Sequence, residues 1–328
     1  MADTVAMRAS ARGLTHRLGG RWYGARGKAA CPVCQPERRP DQDALSLGQD
    51  GYRLLLYCHK SGCRYHDILA AAGIEAERTP PLSETERAAL HRQRHAAHEA
   101  GIAAARAIWE ASEPLAGSLA ERYLRARAIA VARPLSLRFH PRCPLGSAAQ
   151  CPAMVGAIVA EGGGLIGVQR TFLAEPGRKA GLAQPKLTLG SMAGGAVRLS
   201  AGQGPLVVAE GIETALSVLE RLAGEAPRVW AALSAGVQLR PKPKPGQAQH
   251  PPRRPMAGMA GLHLPPLDGS ASDTLIVASD NDAVGRKGAA LLIARAEALG
   301  WHAQIQAPPE GHKDWNEAAH ALVDEHDV

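Results

Sequence analysis

Hydrophobic and polar positions follow two different rhythms along this chain, and the rhythm changes at definable points. In the first 77 residues "GYRLLLYC" (Gly51–Cys58) reads as a strand. A proline pair in "TPPLSETER" then breaks the chain, and Ser83 with Glu86 three residues later has the spacing of a capping box. The stretch from there to Ser112 is Ala-rich and polar all round, which predicts one long helix serving as a spacer arm over 78–112. Within residues 113–200, "MVGAIVA" and "LIGVQRTFL" flank "EGGG", a hairpin signal inside a mixed α+β block.

From Pro205 onward short apolar runs alternate with helical spacing. "LVVAE" precedes a helix whose Ile212, Ala215, Leu216 and Leu219 share one face, and "VWAAL" follows as a strand. After an interruption come "TLIVAS", the helix "GRKGAALLIARAEALG" stopped at Gly300, the strand "HAQIQA" and a terminal helix from Asp314. Strands and helices in alternation predict an α/β domain over 201–328, with a mostly parallel sheet covered on both faces. The interruption, "RPKPKPGQAQHPPRRPMAGMAG" (Arg240–Gly261), carries too much Pro and Gly to pack and reads as a mobile basic loop.

Composition changes this picture in one respect. The chain has 328 residues, 45% of them hydrophobic and 21% charged, which is ordinary for a soluble protein with two or three domains. Its formal net charge of +7 is unevenly spread. Residues 1–66 hold eleven Lys/Arg against five Asp/Glu, and residues 238–259 hold five basic residues and no acid. Clustering of that kind is the electrostatic footprint of a polyanion binder. Aromatic residues make up only 4%, too few to argue for a base-stacking groove. No run approaches the ~18–20 apolar residues of a membrane span, and "MADTVAMRASARGL" lacks the apolar centre of a signal peptide, so a cytoplasmic protein is expected.

Three acids stand at the carboxyl ends of the most apolar strands: Glu210 after "LVVA", and Asp280 and Asp282 in "LIVASDNDAVG". In open α/β sheets that edge is where ligands bind. Converging carboxylates repel one another unless a cation sits between them, and all-oxygen ligation suits Mg²⁺ or Mn²⁺. Metal-assisted phosphoryl transfer is the chemistry such a set supports. The plainer alternative is that "DND" caps a turn and Glu210 caps the helix beginning at Ile212.

"EGIETALS", "SDNDAVG" and "KDWNE" resemble the signature of the Toprim domain, the catalytic core of bacterial-type primases, type IA and II topoisomerases and some nucleases. The form with "EGIETAL" and a closing "KDWN" is similar to primase-like proteins of phages, plasmids and integrated elements. The resemblance implies that Glu210 is a general acid/base or metal ligand and that Asp280 and Asp282 are a metal-binding pair. Asp314 becomes a further candidate Mg²⁺ ligand, and Lys313 and Asn316 become candidates for contacting nucleotide or nucleic acid.

Cys31 and Cys34 in "CPVC", with Cys58 and Cys63 in "CHKSGC", are two close pairs separated by 23 residues. This spacing fits a four-cysteine Zn²⁺ ribbon over 1–77, although the wider second pair leaves room for His59 or His66 as a substitute ligand. Cys143 and Cys151 have no further ligands in sequence and read as structural. The N-terminal block resembles the zinc-binding domain that precedes Toprim in primases, which is thought to engage template DNA.

The middle block, with "GGGLIGVQRTFL" and "PKLTLGSMAGGAVRLS", resembles the basic subdomain before Toprim in primases. Arg170 and Lys186 are expected at a strand edge, presented to phosphate, with Arg178, Lys179 and Arg198 as lesser candidates. The leading expectation is a primase-like nucleotidyltransferase making RNA primers on a single-stranded DNA template from ribonucleoside triphosphates. A Toprim nuclease and a non-catalytic DNA-binding accessory protein remain as alternatives. A topoisomerase lacks support, because Tyr52, Tyr57 and Tyr65 cluster around the ribbon rather than on a separate domain. No "GxxxxGK[ST]" run occurs, so a replicative helicase is expected as a separate chain.

Overall fold

The computed structural model describes residues 10–24, 26–50, 53–74, 83–130, 134–146, 149–236, 257–312 and 314–324. Tyr52, Lys313 and residues 240–256 of the basic interruption lie outside them. The chain divides into two compact units, the first running to Arg87 and the second beginning at Ala88.

In the first unit, helix α1 (Ala11–Arg17) is followed by strands β1 (Arg21–Tyr23), β2 (Arg26–Ala29), β3 (Leu45–Asp50) and β4 (Arg53–Cys58), then helix α2 (Tyr65–Ala71). The four strands form an antiparallel sheet in sequence order. Alternation along β2 and β3 sends Ala29, Leu45 and Leu47 inward, where they meet Leu14 and Leu18 of α1 and Ile68 of α2. Gly27 permits this closeness: a Cβ there would stand 2.1 Å from Thr15 Oγ1 on α1.

The long helix α3 (Glu84–Glu110) starts at the expected capping box. Glu86 accepts from the Ser83 backbone N–H at 2.8 Å, and the Ser83 hydroxyl accepts from the Glu86 N–H at 3.2 Å. It differs from a pure spacer in its last turns. Ala105 and Ile108 are buried against a sheet, because the polar pattern gives way to "AAARAIW" only there.

The second unit continues with β5 (Glu113–Pro114), α4 (Leu119–Arg125), β6 (Leu137–Leu145), β7 (Ala149–Val159), β8 (Leu165–Ala174), β9 (Arg178–Lys179), β10 (Lys186–Gly190) and β11 (Val197–Arg198). Next come β12 (Leu206–Ala209), α5 (Ile212–Arg221), β13 (Arg228–Ala231), α6 (Gly258–Gly261), β14 (Thr274–Ala278), α7 (Ala283–Glu297), β15 (His302–Gln306) and α8 (Trp315–Asp324). An antiparallel sheet runs β10-β8-β7-β6-β5, and a second sheet runs β11-β13-β12-β14-β15. In the second sheet β12 is parallel to both β13 and β14, and β14 is parallel to β15.

The two sheets share one core. Met154, Ile158 and Leu173 of the first sheet pack with Val207 of the second and with Ile212 and Leu216 of α5. Gly156 on β7 makes the approach possible, since a Cβ there would lie 2.9 Å from Ile212 Cδ1. On the other face of the second sheet Leu206, Val208, Leu275 and Val277 pack against Ala289, Leu292 and Ala296 of α7. Both faces are covered, which is why these strands are uninterrupted apolar runs.

β11 pairs with β13 of the second sheet, so residues 113–200 and 201–328 share a continuous core. One sequence expectation is corrected here. The end of the interruption does pack: Met259 and Ala260 on α6, and Leu262 after it, are buried beside α7. Their small and apolar side chains fit a tight helix contact, where Gly288 approaches Ala235. Among the described residues no helix is long and apolar enough to cross a membrane.

Candidate functional site

The sheet topology places Glu210 and Asp280 on one edge. Ala209 of β12 registers with Ala278 of β14, so the residues that follow leave the sheet side by side. The chain passes from β12 to β13 on one flank and returns to β14 on the other, so the order reverses between β12 and β14. A crevice opens at such a reversal because the following helices cover opposite faces. Here α5 belongs to the core on one face and α7 to the core on the other.

Glu210 does not cap α5. The N-cap is Gly211, without a side-chain bond, and the backbone N–H of Ala235 instead favours the charged form of the Glu210 carboxylate. Burial holds the Glu210 carboxyl above its ordinary range, and the charges of Asp280 and Asp282 push it further; the Ala235 N–H and Lys186 act in the opposite direction. Asp282 does cap, accepting from the Gly285 N–H at 2.7 Å at the start of α7. The capping reading and the three-acid reading therefore meet at this residue.

Further along, Asp314 accepts from the N–H groups of Asn316 and Glu317 at the start of α8, at 3.0 and 2.9 Å. Asn316, expected to touch nucleotide or nucleic acid, is 1% exposed and donates to the Arg127 carbonyl and the Ser217 hydroxyl. Those bonds tie α8 to α5, so the amide nitrogen is occupied within the fold.

The basic candidates divide in the same way. Arg170 sits on β8, an interior strand between β7 and β10, and not at an edge. It is 8% exposed and donates to the Pro144 carbonyl at 2.8 Å, which takes it away from the phosphate-presenting position expected of it. Arg198 stacks 4.7 Å over the Trp230 ring and donates to the carbonyls of Ala160 and Glu161. Lys186 begins the edge strand β10 and is partly exposed, and Arg178 on β9 is exposed.

A buried cluster that the sequence reading passed over adjoins this edge. Glu213, in the first turn of α5, accepts from the Tyr123 hydroxyl at 2.6 Å and from Lys186 Nζ at 2.8 Å, with Lys179 Nζ at 3.8 Å. Burial would raise its pKa, but the two lysines and the tyrosine hydroxyl bring it down to about 2. The available signal was weak: "IETALSVL" has no outward polar stripe, and all eight residues of that run are buried.

In the first unit, β2 leads into the turn that carries Cys31 and Cys34, β4 ends at Cys58, and Cys63 precedes α2. Among the described residues these four sulfurs are the one set of three or more possible metal ligands whose atoms all lie within 4.8 Å of one another. The three acids are not drawn together that closely. Zn–S bonds of about 2.3 Å in a tetrahedron imply sulfurs about 3.8 Å apart, and Cys34 and Cys58 are 3.5 Å apart. The Cys31 thiol bonded to Cys58 lowers the Cys58 pKa, and backbone N–H groups of Ser61 and Cys63 support its thiolate. Four cysteines so placed fit one zinc ion. His59 instead bonds Ser46 Oγ at 2.7 Å and meets the Tyr57 ring edge-on at 4.7 Å, and His66 lies against Tyr65. Cys143 and Cys151 face each other across β6 and β7, outside this cluster.

The outer face of the four-stranded sheet gathers residues that composition alone does not bring together. Register places Arg21 beside Lys28, Tyr23 beside Arg26, Lys28 beside Ser46 and Ser46 beside Tyr57. Tyr23 is 59% and Tyr57 37% exposed. Aromatic residues are scarce in the chain, yet two are gathered on one exposed face among cations.

The family model described as "Domain of unknown function (DUF7146)" matches residues 99–199. No curated protein matches the chain. Among solved structures, the chain is similar to the zinc-binding and RNA polymerase domains of the Aquifex aeolicus primase at 13% identity and a TM-score of 0.39, over 95% of this chain and 80% of that one. It is similar to the primase fragment of the bacteriophage T7 primase-helicase protein at 14% identity and a TM-score of 0.34, over 92% and 95%. The RNA polymerase domain of the Mycobacterium tuberculosis primase aligns at 15% identity and a TM-score of 0.36, over 70% and 82%.

Proposed function

We propose that this chain is a primase-like nucleotidyltransferase, a DNA-directed RNA polymerase that makes short primers on single-stranded DNA from ribonucleoside triphosphates. Its catalytic centre is the Toprim-type edge formed by Glu210, Asp280 and Asp282. One observation carries the reading: Glu210 and Asp280 leave adjacent parallel strands where the sheet order reverses, and the two aspartates act on the Glu210 carboxyl.

The donor set fits Mg²⁺ or Mn²⁺, since it offers hard carboxylate oxygens whose mutual repulsion a divalent cation relieves. When bound, that cation neutralises charge on the phosphate undergoing transfer. Asp280 and Asp282 supply ligand oxygens. Glu210, which holds its proton more tightly than an ordinary carboxyl, is suited to accept the proton of an attacking 3′-hydroxyl. The zinc unit contributes the template surface, with Tyr23 and Tyr57 for bases and Arg21, Arg26 and Lys28 for phosphates. A separate replicative helicase is the expected partner.

The test supplies purified protein with single-stranded DNA, labelled ribonucleotides and Mg²⁺ or Mn²⁺. Short labelled products that disappear in Asp280→Ala support the reading. Shortened DNA identifies a nuclease instead, and DNA retention without turnover identifies a binding protein.

A further inference from the structure

A sheet edge offers a row of unpaired N–H and C=O groups, and chains that stay single commonly blunt it with charge or proline. In the second unit the edge strands β5, β10 and β11 are blunted in this way, by Glu113 and Pro114, by Lys186 and by Arg198. The remaining edge strand, β15, reads "HAQIQ" and holds no Lys, Arg, Asp or Glu.

Two bonds fix which backbone groups of β15 face outward. The His302 N–H donates to the Asp273 carbonyl, and the Gln306 carbonyl accepts from the Ser279 N–H, so residues 302, 304 and 306 face β14. Ala303 and Ile305 therefore turn their N–H and C=O groups away from the sheet. Two outward residues flanking one inward residue suit antiparallel pairing with an identical strand. Ala303 of each copy then meets Ile305 of the other as a hydrogen-bonded pair, with Gln304 opposite its own copy on the axis. In a chain of net charge +7, a strand free of charged residues is one that can face itself without repulsion.

The side chains agree with this register. Ala303 packs into the core beneath α7, so Ile305, two residues on, leaves the sheet on the same face, where it is 48% exposed. Leu291 on α7 and Leu299 just after it are exposed as well. Pairing sets Ile305 beside Ala303 of the second copy and takes it out of water.

We propose that β15 is a self-association edge, through which two copies of this chain join their five-stranded sheets into one continuous sheet about a two-fold axis at Gln304. Antiparallel pairing turns the two acidic edges towards opposite ends of that sheet. The contact is small, one short strand and a helix flank, which places the dimer in the micromolar range.

The test is sedimentation equilibrium of the full zinc-loaded chain, under reducing conditions and without nucleic acid, from about 1 to about 200 μM, a range that brackets such an association. The parent should pass from monomer to dimer. Gln304→Lys and Gln304→Glu each set two like charges face to face and should weaken the dimer at least several-fold. The melting temperature of the dilute protein should not change, because Gln304 is exposed. An equimolar mixture of the two variants opposes unlike charges and should recover the dimer. Amide exchange at Ala303 and Ile305 should slow with concentration in the parent and not in either variant alone. A parent that stays monomeric throughout overturns the proposal and leaves this edge to a different chain. A dimer that both variants keep unchanged, or a mixture that recovers nothing, overturns the self-pairing at Gln304.

Discussion

The Tyr123 hydroxyl donates a 2.6 Å hydrogen bond to Glu213, a residue 90 positions later, and so ties α4 to the helix that follows Glu210. Burial and the Glu213 charge both keep that phenol protonated, so it remains a donor. Tyr123→Phe removes the bond and little else. It should cost about 1.5–3 kcal/mol, the range for a hydrogen bond to a charged group, with an unchanged dependence on urea concentration. A loss under about 0.5 kcal/mol in urea titration would show the contact to be incidental.

Glu213 also predicts an acid limb in stability. Its folded pKa of about 2 lies below the ordinary 4.5, because Lys186, Tyr123 and Lys179 outweigh the burial that acts against them. A depressed acid contributes stability that is complete above 4.5 and is lost as pH falls from there towards 2. Thermal unfolding of the second unit should show this decline, and Glu213→Gln, less stable at neutral pH, should show a shallower one.

Metal content gives an independent check on the first unit. The zinc-loaded chain should carry one zinc per molecule at the four cysteines, and Cys58→Ser should lose it. Because ligand binding and folding of small zinc domains are coupled, a strong chelator should collapse the β1–β4 signals while leaving the second unit folded. Undiminished zinc in Cys58→Ser, measured by atomic absorption, would reject the ligand set.

Arg170 and the outer sheet face make opposite predictions. Arg170→Gln should lower the melting temperature, since it removes the bond by which a buried guanidinium holds the Pro144 carbonyl, and leave affinity for single-stranded DNA unchanged. Tyr57→Ala and Arg26→Ala should do the reverse. Loss of one stacked ring costs about 1–3 kcal/mol of binding, and loss of one phosphate contact lowers the salt dependence of affinity. Fluorescence anisotropy at several salt concentrations separates them.

Gly156 predicts a repairable clash. Gly156→Ala puts a Cβ 2.9 Å from Ile212 Cδ1 and should destabilise by about 1–3 kcal/mol. Ile212→Val removes that carbon, so the double variant should regain part of the loss, measurable as a coupling in thermal unfolding.

How much of this was legible in the chain follows from the range of the forces involved. The strand–helix alternation after Pro205, the capping box at Ser83 and the paired cysteines are local patterns, each set by neighbours within a few residues. The roles of Arg170, Asn316 and Glu213 depended on partners far away in sequence, Pro144, Arg127 and Tyr123. Exposure of a polar residue cannot be read from its type alone when a remote carbonyl or carboxylate can satisfy it.

By itself the amino-acid order determined the α/β pattern, the acids at strand ends and the four-sulfur spacing, because hydrophobic period and ligand spacing act through short chain distances. Tertiary structure alone decided that β14 returns beside β12, that Glu213 gathers two lysines, and that scarce aromatic residues share an exposed face with cations. Those outcomes arise from packing between distant segments, where burial of apolar faces selects the arrangement and the polar groups must find partners within it.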